Sequence, residues 1–215
     1  MSRIRLTKSW SSQGLQFFAK LQEAVAKISY PEDDRLIHVK KICGVDVAYT
    51  KDRCAAAAVV QNISKGENIE TVVKVFTGRR TPYIPGFLFL REGPPLLEVL
   101  TTVQTAFDLL LVDGHGRAHP RRCGLATLLG FVAGFPTVGI AKSLLVGELV
   151  PAGEFYEIVD RDEVVGLCTG RNYFSQGYGV SFNDLRKVAK LLDGKYPEPL
   201  RQADRLSRNA VKKSG

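Results

Sequence analysis

The run Leu109-Leu-Leu-Val112 ends abruptly in Asp113 and Gly114. A short, fully apolar run bounded by turn residues reads as a buried strand. A carboxylate at the C-terminal end of such a strand stands where ligand sites collect in an open α/β sheet. The surrounding pattern agrees. Residues 13–28 carry Leu15, Phe18, Leu21, Val25 and Ile28 at helical spacing, which predicts an amphipathic helix ended by Tyr30-Pro31. Residues 42–49, 55–61 and 69–76 are β-rich runs with short connections, so an antiparallel meander is expected. A helix is predicted from about Pro94, a second over 123–133, and a buried strand over 136–140. Strands follow over 146–150 and 155–167, with a turn at 160–162. Ser181 and Asn183 are candidate caps for a helix reaching Leu192, with Gly194 as its C-cap. A shorter helix over 198–206 and a frayed basic tail close the chain. Three strands, helix, strand, helix, strand predict an α/β chain with a mixed central sheet flanked by helices.

At 215 residues the chain is expected to form one domain, without a disulfide or metal staple. Lys and Arg number 30 against 22 Asp and Glu, a net charge of +8, which points to a polyanionic partner, nucleic acid ahead of a membrane surface. No apolar run approaches the ~20 residues a membrane span needs. The basic stretch from Met1 to Lys8 has no apolar run behind it, so no signal peptide is expected. Cys43, Cys54, Cys123 and Cys168 form no C-x-x-C pair and are expected to be reduced packing thiols, which suits a cytoplasmic setting.

Three acids break the pattern of carboxylates confined to turns and helix faces. Asp46 interrupts the apolar strand 42–48, Asp113 ends the strand 109–112, and Glu92 follows the apolar run Phe87-Leu-Phe-Leu90 near the expected helix start. Singly, each has a plain reading. Asp46 could face water from an edge strand, Asp113 could form an Asx turn before Gly114, and Glu92 could sit favourably at a helix N-terminus. Together they suggest a carboxylate cluster for Mg²⁺ or Mn²⁺, which take hard oxygen ligands. On a basic protein, such a cluster suits metal-assisted phosphodiester cleavage.

At these residues the sequence resembles the endonuclease V family, deoxyinosine-directed repair nucleases with a ribonuclease H-like fold. The matching stretches are Gly44-Val-Asp-Val-Ala-Tyr49, Pro82-Tyr-Ile-Pro-Gly-Phe-Leu-Phe-Leu-Arg-Glu92, Val112-Asp-Gly-His-Gly-Arg-Ala-His-Pro-Arg-Arg122, Gly139-Ile-Ala-Lys-Ser143 and Pro197-Glu-Pro-Leu-Arg-Gln-Ala-Asp204. The resemblance implies Mg²⁺ held by Asp46, Glu92 and Asp113, with Asp204 in a place where the family also uses histidine, and Lys142 beside the phosphate. It implies cleavage at the second phosphodiester bond 3′ to deoxyinosine, leaving 3′-hydroxyl and 5′-phosphate ends. Some members favour inosine in single-stranded RNA, so that substrate stays open, and the chain is expected to act as a monomer. Tyr83 matches the residue that wedges into the duplex where the base leaves it. The base pocket falls on Gly86, Leu88, Gly114, His119, Gly124, Gly139 and Leu145. From the net charge and their place beside the Asp113 loop, Arg117, Arg121 and Arg122 are candidate phosphate contacts. His115 and His119 are set apart by Gly116 and Pro120, so a zinc site there is not expected.

Overall fold

The computed structural model describes residues 12–36, 38–78 and 81–213. The chain runs α1 (Ser12–Ser29), β1 (Lys41–Tyr49), β2 (Arg53–Asn62), β3 (Glu67–Thr77), α2 (Leu88–Leu100), β4 (Leu109–Asp113), α3 (Leu125–Ala133) and β5 (Thr137–Ala141). It continues through β6 (Glu148–Ala152), β7 (Phe155–Asp160), β8 (Glu163–Thr169), β9 (Asn172–Gln176), α4 (Phe182–Leu191) and α5 (Glu198–Lys213). Among the described residues, nine strands join one sheet in the order β3-β2-β1-β4-β5-β9-β8-β7-β6. β1, β2 and β3 form the expected antiparallel meander, while β4 lies parallel to both β1 and β5.

Alternation along β4 explains its unbroken apolar run. Leu110 and Val112 pack with Leu96, Val99, Leu125 and Leu129 from α2 and α3. Leu109 and Leu111 pack with Leu185, Val188 and Leu200 from α4 and α5. A strand covered on both faces by helices has no position left for a polar side chain until its end. By the same period of two, Asp46 shares a face with Ile42 and Gly44, and Asp113 shares the same α5-side face with Leu109 and Leu111. Gly44 lets α5 come close: a Cβ there would stand 2.6 Å from the Pro199 carbonyl carbon. α5 therefore lies directly over β1 and β2, where Ala57 and Val59 meet Ala203.

Four expectations need correction. α2 begins at Leu88 rather than near Pro94, and it carries Pro94 and Pro95 inside it. Pro95 has no N–H for the Arg91 carbonyl four residues back, and the Tyr49 hydroxyl donates to that oxygen instead, at 3.0 Å. β9 was not expected: Asn172-Tyr-Phe-Ser-Gln176 is polar and short, and it is held between β5 and β8 by pairing on both sides. α5 extends to Lys213, so Lys212 belongs to a helix and not to a frayed tail; the last two residues lie outside the described ones. In α4 the cap is Ser181, whose Oγ accepts from the Asp184 N–H at 2.9 Å, while Asn183 is inside the helix and donates to Asp34. The four cysteines are free and buried, as expected. Among the described residues, no helix is long and apolar enough to cross a membrane.

Candidate active site

The last registered pair between β1 and β4 is Val45 with Val112. One residue further along each strand stand Asp46 and Asp113. Parallel pairing thus brings together two carboxylates that are far apart in sequence, on the face that α5 covers. They line a cleft of about 390 Å³ together with Tyr49, Thr50, Asp204, Arg208 and Lys212.

Each acid has defined partners. The Ser207 hydroxyl on α5 donates to Asp46 Oδ2 at 2.8 Å. Asp113 Oδ2 accepts from Lys142 Nζ at 2.8 Å and from the Tyr196 hydroxyl at 2.7 Å. Lys142 follows β5 and also lies 4.5 Å from the centre of the Tyr196 ring. Asp204 Oδ1 accepts from Arg208 Nε at 2.6 Å. Glu92 comes from α2. Burial raises its carboxyl to about 8, with the charges of Asp46 and Asp113 adding to the rise. Asp46 is raised to about 6, mainly by burial, and Asp113 and Asp204 push the same way. The Ser207 hydrogen bond works against that rise. Asp46 thus feels the charges of Asp113 and Asp204, Glu92 feels those of Asp46 and Asp113, and the four side chains offer only hard oxygen donors. Among the described residues, no three His, Cys, Asp or Glu side chains form a ready-made cage. Ser207 and Tyr196 carried no signal in the sequence, since they become partners of Asp46 and Asp113 only through the docking of α5 and the segment before it.

The other expected site residues separate into distinct neighbourhoods. Tyr83 is 58% exposed, on the loop between Pro82 and Pro85. Gly86 bonds through its carbonyl to Arg121 and to Gln22 Nε2. His119 is buried, and its Nδ1 accepts the Arg121 N–H at 3.2 Å. Burial lowers its pKa to about 4, and Arg121 adds to the fall. Gly114 and Gly139 meet backbone to backbone: a Cβ on Gly139 would collide with the Gly114 carbonyl oxygen. Gly124 is pressed against the His115 carbonyl in the same way. These glycines first of all let the 114–124 loop fold over β5 and the start of α3. Leu88 opens α2 and packs on the core, whereas Leu145 is half exposed.

Arg117, Arg121 and Arg122 do not stand as free cations. Arg117 pairs with Glu163 and donates to Gln176 Oε1. Arg122 meets Glu163 Oε2 at 2.6 Å and Asp160 Oδ2 at 2.7 Å. Arg121 donates to Gln22 Oε1 at 2.7 Å and covers the Phe87 ring at 4.3 Å. Acids of the β7–β8 hairpin, silent in the sequence, thus hold two of the expected phosphate contacts, Arg117 and Arg122, in an ion-pair clasp. A larger cleft of about 610 Å³ opens beside this clasp and α1, and it shares no lining residue with the Asp46–Asp113 cleft.

Residues 20–205 match the family model for endonuclease V. Endonuclease V from Saccharolobus islandicus strain Y.N.15.51 is 39% identical over 199 residues, covering 92% of this chain and 96% of that one. The crystal structure of endonuclease V from Streptomyces avermitilis superposes with a TM-score of 0.82 at 30% identity, covering 93% of this chain and 94% of that one. Ciona intestinalis endonuclease V, solved with a 24-mer DNA containing an inosine followed by a ribo-adenosine, shares the fold: its TM-score is 0.81 at 24% identity, covering 95% of this chain and 100% of that one. The sheet is thus the ribonuclease H-like sheet seen in these structures, and the chain belongs to the endonuclease V family.

Proposed function

We propose that this protein is a metal-dependent repair endonuclease that recognises deoxyinosine in DNA. It cuts the second phosphodiester bond 3′ to the lesion, leaving a 3′-hydroxyl and a 5′-phosphate. The observation that carries the reading is the juxtaposition of Asp46 and Asp113 at the ends of parallel strands, lining one cleft with Asp204. Family membership supports the nuclease activity, and the inosine-containing DNA held by the Ciona relative supports the substrate.

The donor set fits a hard divalent cation. Burial and mutual repulsion hold Asp46 and Glu92 well above ordinary carboxylate values, a cost that a positive ion among them would offset. Asp46, Glu92 and Asp113 would hold Mg²⁺, or Mn²⁺ in its place, with Asp204 within reach of the same charges. When bound, such a cation acts as a Lewis acid on the phosphate and activates water at neutral pH. The residues of the chain do the rest. Lys142 brings a positive charge to Asp113 and can balance charge that builds on the phosphate. Tyr196 and Ser207 fix the rotamers of Asp113 and Asp46. Tyr83 is exposed on a loop stiffened by two prolines, so its ring is free to replace lost base stacking, worth ~1–3 kcal/mol. The base would enter among Gly86, His119 and the close-packed glycines 114, 124 and 139.

The ribo-adenosine after the inosine in the Ciona complex favours a second reading, cleavage of inosine-containing RNA. Matched inosine DNA and inosine RNA strands, cut side by side with and without Mg²⁺, separate the two. Cleavage of neither strand would end both readings.

A further inference from the structure

We propose that the outer face of α5 is a phosphate-backbone track that carries the substrate strand into the carboxylate cleft. The proposal rests on the nuclease reading above and adds a binding surface to it. Arg201, Arg205, Arg208 and Lys212 recur at i, i+4, i+7 and i+11 along α5. At 3.6 residues per turn they form one stripe, about 16 Å long. All four are exposed. Arg201 shares its charge with Glu198, and Arg208 shares its charge with Asp204. Arg205 and Lys212 have no ion-pair partner among the described residues.

Charge complementarity selects the occupant. The cleft gathers three carboxylates, Asp46, Asp113 and Asp204, and a polyanion approaching them is repelled unless cations flank its path. Arg117, Arg121 and Arg122 are engaged by Glu163, Asp160, Gln22 and Gly86. Arg208 and Lys212 instead form part of the cleft wall. The stripe therefore begins at the wall where the bond is to be cut and runs back along α5. Phosphates of one strand rise about 3.4 Å apart along a duplex axis, so several pass within reach. Backbone contacts of this kind set register and carry no sequence information, so lesion recognition is left to the loops around Gly86 and His119.

The test is the salt dependence of binding to a single-stranded oligonucleotide without inosine, in metal-free buffer. The variant R205Q/K212Q is compared with wild type and with K187Q/K190Q. The control removes the same charge from α4, beside the β6–β7 edge of the sheet, in a separate cleft lined by Glu154 and Phe155. Two lost phosphate contacts should reduce the log–log slope by about 1.4 for a single strand, whereas the control keeps the wild-type slope. R205K/K212R keeps both charges and should bind as wild type does, which separates lost charge from damage to the helix. An unchanged slope in R205Q/K212Q, or an equal loss in the control, overturns the track. A slope reduced in R205Q/K212Q, beside a wild type that cuts no inosine strand, would leave the track standing and end the deoxyinosine reading. The reverse pair of results would do the opposite.

Discussion

The Ser207 hydroxyl of α5 donates a 2.8 Å hydrogen bond to Asp46 Oδ2 on β1. This bond couples the C-terminal helix to the candidate active site, and it depends on Gly44, whose missing side chain lets α5 lie against β1.

Ser207→Ala should therefore weaken both packing and chemistry. A part-buried hydrogen bond of this kind contributes about 1 kcal/mol to stability. Loss of a partner that orients a ligand carboxylate costs about tenfold to a hundredfold in metal affinity or activity. Denaturant unfolding and cleavage at limiting Mg²⁺ measure the two effects. Full activity at limiting Mg²⁺ would show that Asp46 needs no help from α5.

Arg122→Ala tests whether the clasp is structural. Arg122 is largely buried between Glu163 and Asp160, and its loss leaves both acids without that partner. The expected cost is about 1–3 kcal/mol in unfolding free energy, with the salt slope of oligonucleotide binding unchanged. The opposite pattern, wild-type stability with a slope lowered by about 0.7, would make Arg122 a phosphate contact after all.

His119 gives a pH signature. Burial holds its folded pKa at about 4, below the value of 6.5 for an exposed histidine. Between these values the unfolded chain binds the proton and the folded chain does not. Its contribution to stability is thus complete above about pH 6.5 and is lost as pH falls toward 4. Unfolding free energies at pH 7.5 and pH 5 should differ less in His119→Asn than in wild type. An equal difference would show that His119 is not the group responsible.

Much of the frame was legible because it rests on local periodicity. Leu109–Asp113 announced a doubly covered strand, and Asp46 stood out because a carboxylate inside an apolar run needs a reason. What was not legible depended on partners distant in sequence. Pro94-Pro95 reads as a helix start until Tyr49 is seen to fill the carbonyl that Pro95 leaves open. The residues of β9 have too little apolar alternation to signal a strand, and only β5 and β8 make them one. The last turns of α5 are rich in charge and looked like a tail, although Ser207 and Val211 carry its buried face onward. Glu163 gave no hint that it would claim both Arg117 and Arg122.

Cleavage of an end-labelled inosine DNA strand by wild type and Asp113→Asn, with Mg²⁺ and with EDTA, tests the central claim most directly. The account predicts a single cut by wild type at the second bond 3′ to inosine, dependent on Mg²⁺. Asp113→Asn should keep the fold and lose that activity by orders of magnitude. Undiminished cutting by Asp113→Asn, or equal cutting in EDTA, would contradict it.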